Sequence, residues 1–254
     1  MSEVGDQDPT NLPDSRAEVA PRGYYVAAGF YPQLHLTRKS GFDFGRTLSD
    51  YIDPDKTEFG EDAWVYSQRI GGLPQSRLYV NVRAAQIEIG GEFLPHKQEW
   101  FEDRVGAVLQ RFGQTLKPVV VLGSKAMLRG TLPINGDARE FVAKHVMKID
   151  PKRVDSFGRP IHMVGLRLFL PSYVKRTGDQ AEGTDWSVNV RVESLMEDPS
   201  QLFLEADAEW PGPMRWDEST DRKLVERLQF VGDYLRNNVI AFLRAPDGDQ
   251  DMER

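Results

Sequence analysis

The sequence predicts an α+β protein in which two long amphipathic helices back a mostly antiparallel sheet. Several strand-like runs precede each helical run, whereas a doubly wound parallel sheet requires strands and helices in strict alternation. The helical runs carry apolar residues at three- and four-residue spacing, so one face of each helix can pack on a sheet. With 254 residues, 40% of them hydrophobic, the chain can bury one large core or two smaller ones.

The first half of the chain, residues 23–117, begins with a strand. Residues 24–36 are rich in aromatic and β-branched side chains, and Pro32 interrupts them, which predicts an edge strand or a strand with a bulge. Residues 41–53 predict a turn followed by a short helix or loop. Pro54 ends this segment.

A hairpin and a helix complete this half. Residues 64–70 and 77–89 are strand-like runs, and the Gly-Gly-Leu-Pro sequence at 71–74 is a turn signal between them. From Lys97 onward the hydrophobic period becomes helical. The apolar residues of this helix are Phe101, Val105, Val108, Leu109 and Phe112.

The second half, residues 118–245, repeats this order. The predicted strands cover residues 118–128, 161–170, 186–193 and 202–210. A helix over 137–148 opens at Asp137, because Asp137 and Glu140 resemble a capping box. A second long helix begins at Asp217 or Ser219 and ends before Pro246. Its apolar stripe consists of Leu224, Leu228, Val231, Leu235, Val239 and Phe242.

A short echo links the two halves. Residues 80–83 and 188–191 both have the sequence Val-Asn-Val-Arg, and both lie in an alternating strand before a long helix. An internal duplication that forms a pseudo-dimer of similar halves would explain the echo. A single continuous α+β domain is the simpler interpretation, because alternating strands resemble one another by chance.

The charge is concentrated at the two ends of the chain. Residues 1–22 contain five acidic and two basic side chains, and residues 246–254 contain four and one, while the whole chain has a net charge of −7. Both ends hold few large apolar residues, which predicts disordered acidic tails. The nearly neutral middle lacks the basic field that nucleic-acid binding needs, so we expect no nucleic-acid partner.

Composition also bears on the location of the protein. No run of about 18 apolar residues is present, so the sequence predicts no membrane-spanning helix and no membrane partner. The first 30 residues lack the apolar stretch of a secretory signal. The chain has no cysteine, which excludes disulfides and thiolate ligands and suits a reducing compartment. We therefore expect a cytoplasmic protein.

The templates for common catalytic and cofactor sites are missing. The segment 121–125 lacks the first glycine of a phosphate-binding loop, and no dinucleotide-binding or nucleophile-elbow sequence is present. The acidic runs at 53–57 and 247–251 do not continue to the glutamate that a calcium loop requires. Four histidines are far apart in the sequence: His35, His96, His145 and His162. We therefore expect neither a metal nor a cofactor, and assign no catalytic residue.

One sheet face carries the candidate ligand-binding residues. Alternation along the last three predicted strands places apolar side chains on one face and charged side chains on the other. The candidate residues on the charged face are Arg167, Arg191, Glu193, Glu205 and Asp207. The simpler interpretation is a solvated face with cross-strand ion pairs. If the sheet curves, the same residues can bind a polar ligand, with arginine holding a carboxylate or phosphate.

These observations predict a cytoplasmic binding or assembly protein without catalytic activity. Its partner is an unknown protein or a small polar ligand, and a homo-oligomer is compatible with the sequence. The alternative is a small-molecule-binding domain or a metal-independent enzyme that uses the arginine and carboxylate face.

Overall fold

A computed structural model describes residues 17–149, 158–159, 162–177 and 180–245. Its main feature is a ten-stranded sheet in which all neighbouring strands are antiparallel, together with helices that contact it. The α+β class is therefore confirmed. Residues 1–16 and 246–254, which hold most of the predicted tails, lie outside the described residues.

The strands of the large sheet lie in the order β2-β3-β4-β5-β1-β6-β11-β10-β7, and β12 pairs separately with β6. Their bounds are β1 Ala20–Tyr31, β2 Lys56–Phe59, β3 Ala63–Arg69, β4 Arg77–Arg83, β5 Gln86–Glu92, β6 Val120–Pro133, β7 Gly165–Leu170, β10 Ser187–Ser194, β11 Gln201–Trp210 and β12 Met214–Arg215. Strands β8 (Tyr173–Thr177) and β9 (Gln180–Thr184) form a separate hairpin. Strand β1 begins at Ala20, inside the segment that was predicted as a tail.

The helices are α1 Arg38–Leu48, α2 Gln98–Leu116, α3 Ala138–Phe141, α4 Thr220–Tyr234 and α5 Ile240–Arg244. A π-helical turn follows α3 at Val142–Val146, and another joins α4 to α5 at Leu235–Val239. Thr37 begins α1 with a reciprocal capping box to Ser40, so this helix starts before the turn that the sequence predicts at 41–53. The carboxylate of Asp137 caps α3 by accepting from the Arg139 amide at 2.8 Å.

Strand β1 lies at the centre of the sheet, so the prediction of an edge strand at 24–36 is wrong. It pairs with β5 on one side and with β6 on the other. Two register shifts, at Pro21/Gly23 and Gly29/Phe30, agree with the predicted bulge. The prediction took Pro32 to lie within the strand. It follows the last residue of β1 instead, so it removes no hydrogen bond from the ladder.

The predicted strand at 77–89 is two strands. β4 and β5 are joined by a turn at Ala84 and Ala85, and Arg83 pairs with Gln86 across it. This turn contains neither glycine, proline nor asparagine, so the sequence carries no signal for it. The short strands β2, β8, β9 and β12 also have no clear alternating pattern and were not predicted.

The core lies between the sheet and the helices. All five apolar residues predicted for α2 are buried, and they pack with aromatic rings from α1 and the sheet. The ring of Phe112 lies 5.1 Å from that of Phe30 and 5.9 Å from that of Phe44. Gly45 allows α1 to approach β3, because an added Cβ there would lie 2.7 Å from the ring of Tyr66. Close packing of this kind fixes α1 and α2 on the sheet.

The long C-terminal helix departs from the predicted stripe at one residue. Leu224, Leu228, Val231, Leu235 and Val239 are buried as predicted, but Phe242 is 48% exposed. The π-helical turn adds a residue to the helical repeat, so the stripe continues through Ile240 and Leu243 instead. No helix in the described part of the chain is both long and apolar enough to span a membrane.

Candidate functional site on the open sheet face

The charged side chains predicted from alternation lie on the sheet face opposite the buried core, which we call the open face. Along β10 and β11, buried residues alternate with partly exposed ones, and the second set forms this face. Its side chains on the central and second-half strands are Tyr25, Lys125, Met127, Arg129, Asn189, Arg191, Glu193, Phe203, Glu205 and Asp207. Strands β4 and β5 add Arg77, Tyr79, Asn81, Glu88 and Glu92.

Three of the five predicted site residues form one cluster around Arg191. Its Nη2 lies 3.0 Å from Oε2 of Glu193, and its Nη1 lies 3.4 Å from Oε1 of Glu205. The guanidinium also lies 5.4 Å from the centre of the Phe203 ring. Burial opposes the charge of Arg191, but the two carboxylates outweigh it and raise the pKa of the guanidinium above its ordinary value.

The fourth predicted residue, Asp207, pairs with a lysine that the sequence did not indicate. Oδ2 of Asp207 lies 2.7 Å from Nζ of Lys125, which also lies 3.2 Å from Oε1 of Glu209. Lys125 comes from β6, where the apolar run at 119–122 dominates the pattern. Only the register of β6 on β11 brings it to Asp207, and a register between distant segments cannot be read from one sequence.

The pKa of Asp207 is raised, and so is that of Lys125. Burial raises the pKa of Asp207 more than the nearby Lys125 lowers it, and the charge of Glu209 adds to the increase. Burial lowers the pKa of Lys125, but its hydrogen bonds to two carboxylates outweigh burial. The ion pairs outweigh burial at Lys125, which has two acidic partners, but not at Asp207, which has one basic partner. Among the described residues, Oδ1 of Asp207 is buried without a hydrogen-bond partner.

Arg167 is the fifth predicted residue, and it stays outside these ion pairs. It lies directly opposite Arg191 in the pairing of β7 with β10, and its side chain is exposed. Its positive charge lowers the pKa of Asp207 only as the smallest of several contributions. Arg167 therefore lies beside the cluster of ion pairs and is not part of it.

A second cluster on the open face joins the two halves. Glu92 of β5 lies between two arginines: its Oε2 is 2.8 Å from Nε of Arg77, and its Oε1 is 3.3 Å from Nη2 of Arg129. Arg129 reaches Glu92 across Gly23, where an added Cβ would lie 2.6 Å from Nε of Arg129. The absence of a side chain at Gly23 therefore lets this arginine lie flat on the sheet.

Tyrosines occupy the first-half side of the open face. The ring of Tyr79 lies over Gly90, where an added Cβ would lie 2.2 Å from the ring. Tyr25 lies on the adjacent strand, and burial together with the negative charge of Glu88 raises the pKa of its hydroxyl. The amide of Asn81 donates to Oε2 of Glu88 at 3.4 Å. This side of the face thus combines aromatic rings with a carboxylate.

Two clefts of the described structure lie away from these clusters. A cleft of about 870 Å³ lies beside the start of α2 and the end of α4, where Gln98, Glu102 and Arg236 line it. Arg236 donates to Gln98 at 3.0 Å and Gln98 donates to Glu102 at 2.7 Å, so these groups hold the two helices together. A cleft of about 610 Å³ lies at the other end of the helix pair.

The histidines and acids do not form a metal centre in the described residues, where no group of three or more such side chains could hold an ion. His96 stacks on Trp100 and His145 stacks on Phe141, which gives both structural contacts. His35 and His162 are exposed, and His35 follows β1 instead of lying in it.

Comparison with known proteins gives no family for this chain. No protein-family model matches it, and no curated protein matches it in sequence.

Proposed function

We propose that this chain is a binding or assembly protein without catalytic activity, and that the open face is the surface that binds its partner. The observation that carries the proposal is the mutual pairing of the charges on this face. Arg191, Lys125 and Glu92 each have two oppositely charged neighbours. A small anion would have to compete with carboxylates that are already in place, whereas a protein surface can cover the face without leaving a charge unpaired.

The side chains of the face also suit a protein partner. Tyrosine and arginine are enriched among the residues that dominate protein binding, because they combine apolar area with directed hydrogen bonds. Tyr79 of β4 and Tyr25 of β1 both lie directly opposite Gly90 of β5, one on each side of it. Phe203 and Arg191 add a second aromatic and cationic group on the other side. A partner of mixed apolar and polar chemistry fits this surface.

We further infer that the two halves are an internal duplication that forms a pseudo-dimer. Support comes from strand order, since β1, β5, β4 and β3 correspond to β6, β11, β10 and β7 on either side of the centre. Val26 lies opposite Ala126, and the pairs on either side are Tyr25 with Met127 and Ala27 with Lys125. Every antiparallel strand pair has a local two-fold axis at each residue pair, so the axis at Val26 and Ala126 is informative because it also relates Glu88 to Asp207 and Asn81 to Asn189.

The repeated Val-Asn-Val-Arg sequence follows the same axis. Asn81 lies opposite Glu88 in the first half, and Asn189 lies opposite Asp207 in the second. The axis relates Tyr25 to Lys125, and each contacts the acidic residue of its own half. On this interpretation the open face consists of two diverged copies of one site.

Differential binding tests the proposed function. The immobilised full chain is compared with Tyr79→Ala and Arg191→Ala for retention of proteins from the source cell, with Lys223→Ala, a half-exposed position on α4, as the control. We expect one partner to bind the wild type and the control in stoichiometric amount and to lose at least tenfold in affinity with both face variants. Equal retention by all four proteins, each shown to be folded, would contradict the proposal.

A small polar ligand is the second candidate, and Asp207 favours it. Its buried Oδ1 lacks a partner in the described residues, and an unpaired buried acceptor is a costly arrangement that a ligand donor would relieve. Thermal-shift screening against polar metabolites tests this, because a specific ligand stabilises the folded protein. A ligand that raises Tm of the wild type and not of Asp207→Asn would support a small-molecule site. A cytoplasmic location stays a prediction that cell fractionation can test.

A further inference from the structure

The two edge strands of the sheet differ in the polarity of their side chains. Strand β2 forms one edge with the sequence Lys-Thr-Glu-Phe, and Lys56 and Glu58 form an ion pair at 2.8 Å. Strand β7 forms the other edge with the sequence Gly-Leu-Arg-Leu-Phe-Leu, and Phe169 is 62% and Leu170 42% exposed. Natural proteins protect edge strands with charges, because an apolar edge pairs readily with another strand. The β2 edge carries an ion pair, whereas the β7 edge carries one charged residue, Arg167, among exposed apolar side chains.

An apolar groove lies behind the β7 edge. It has a volume of about 180 Å³, and its lining includes Leu166, Leu168, Leu170, Val192 and Phe242. Phe242 is the residue that the π-helical turn moves out of the core. The groove and the outer side of β7 thus form one continuous apolar surface, which we call the β7 surface.

We propose that the β7 surface binds a second copy of this chain, with the two β7 strands paired antiparallel about a two-fold axis at Leu168. The sheet would then continue from one copy into the other, with the helices of both on the same side. The leucines of β7 and Phe242 lie on the helix side of the sheet, so this inference does not depend on the proposed function of the open face.

The β7 sequence is complementary to itself in this register. Leu168 lies opposite Leu168 of the second copy, and Leu166 lies opposite its Leu170, so leucines meet on the groove side. On the other side, Arg167 lies opposite Phe169 of the second copy, where a guanidinium can contact an aromatic ring. If the axis were moved by one residue toward Gly165, Arg167 would lie opposite Arg167 of the second copy. Like charges directly opposite each other are destabilising.

The size of a stable interface explains why the groove is part of the proposal. A stable dimer buries roughly 800 Å² on each partner, which is more than a six-residue strand pair provides. Phe242 lies beside the leucines on the helix side and can cover those of the second copy. Met163 and Tyr173 flank β7, are both exposed, and would face each other between the two copies.

Measurement of mass in solution tests the proposal. Sedimentation and light scattering of the full chain over a hundredfold range of concentration are expected to give twice the 28.9 kDa of one chain. Leu168→Lys, which places two like charges at the axis, is expected to give the monomer, as is Leu168→Glu. Thr57→Lys on the exposed β2 edge is the matched control and is expected to remain a dimer. Mixing Leu168→Lys with Leu168→Glu should restore the dimer mass, which separates loss of the interface from loss of the fold.

Disulfide trapping tests the register. The natural chain has no cysteine, so Leu168→Cys introduces a single thiol. Under mild oxidation this variant is expected to form a disulfide-linked dimer. Leu166→Cys is not, because its copies would lie farther apart than the roughly 7 Å between Cα atoms that a disulfide spans. A wild type that is monomeric throughout, or a dimer that persists in Leu168→Lys without trapping at Leu168→Cys, would overturn the proposal.

Discussion

The two faces of the sheet are built from the same strands, but their side chains are held in different ways. On the helix side, Trp64 and Phe112 are completely buried, and the rings of both lie against that of Phe44. On the open face, Arg191 and Lys125 remain partly exposed and contact carboxylates at 2.7 to 3.4 Å. Side chains on the helix side are therefore held by close packing, and those on the open face are held by ion pairs.

The contrast between the two faces indicates whether a substitution should alter the stability of the protein or its binding. Close-packed interiors cannot absorb an added or removed methyl group without cost, so stability depends on the helix side. A half-exposed ion pair contributes little because water can replace the partner. Changes on the open face should then alter binding more than folding.

Truncation of the core is expected to have the largest effect. Leu228 of α4 is fully buried, so Leu228→Ala should lower the free energy of unfolding by about 2 to 5 kcal/mol through lost contacts and the cavity left behind. Lys223→Ala, at a half-exposed position of the same helix, should change it by less than about 0.5 kcal/mol. Urea unfolding of both variants checks this. Similar small changes at both positions would contradict the assignment of the helix side as the core.

Two neighbouring glycines of β5 allow the faces to be compared directly. An added Cβ at Gly91 would lie 2.4 Å from Leu94 and 3.1 Å from Phe101 on the helix side. Gly91→Ala should therefore destabilise the protein by about 1 to 3 kcal/mol through overpacking. At Gly90 the added Cβ meets only the far end of the Tyr79 side chain, which can swing toward solvent, so Gly90→Ala should cost about 1 kcal/mol or less.

Combining Gly90→Ala with Tyr79→Ala checks the physical reason. If the steric conflict with the ring causes the loss, the double variant should be more stable than the sum of the two single effects, as a double-mutant cycle measures. Strictly additive effects, or a greater loss of stability at Gly90 than at Gly91, would contradict the proposed difference between the two faces.

The same contrast decides how much the sequence could predict. Alternation along β10 and β11 predicted the positions of Arg191, Glu193, Glu205 and Asp207, because one side of a strand faces the core. It could not predict Lys125, whose contact with Asp207 depends on register between segments about 80 residues apart. Local patterns also could not show that β1 is central, since pairing on both sides of a strand comes from the rest of the chain.

The helical stripe shows a similar limit. Helical spacing correctly predicted the buried residues from Leu224 to Val239, but it assumed a constant period. The π-helical turn changes that period, and no residue type marks it in the sequence. Phe242, the residue that was assigned wrongly, is also part of the β7 surface. The one departure from regular geometry in this helix therefore coincides with a candidate interface.

Removal of a charge from the open face should have a smaller effect than truncation of the core. Arg191→Ala should lower the free energy of unfolding by about 1 kcal/mol, because Glu193 and Glu205 lose their partner but remain near water. Lys56→Ala, which breaks an ion pair whose two side chains are both more than half exposed, is the control and should be close to neutral. Urea unfolding at low and high salt measures both. A loss of 3 kcal/mol or more for Arg191→Ala would mean that the pair behaves as a buried one and that the open face contributes to the core.

The smallest expected effect concerns the ionisation of Asp207, which is only 17% exposed in its side chain. Because burial raises its pKa above 3.8 in the folded protein, the folded state binds this proton more tightly than the unfolded state does. The resulting stabilisation is fully present below pH 3.8 and is lost as the pH rises through the higher folded value. Asp207→Asn cannot ionise, so the wild type should lose stability relative to this variant as the pH rises from 3.8.

Chemical unfolding of the two proteins at a series of pH values measures this difference, and Lys125 stays charged throughout that range. The charge of Glu209 contributes to the raised pKa of Asp207, so the same comparison made in the Glu209→Gln background should show a weaker trend. A wild type that gains stability relative to Asp207→Asn with rising pH would mean that Lys125 outweighs burial. Asp207 would then be an ordinary ion-pair residue, and the unpartnered Oδ1 would no longer support a ligand site on the open face.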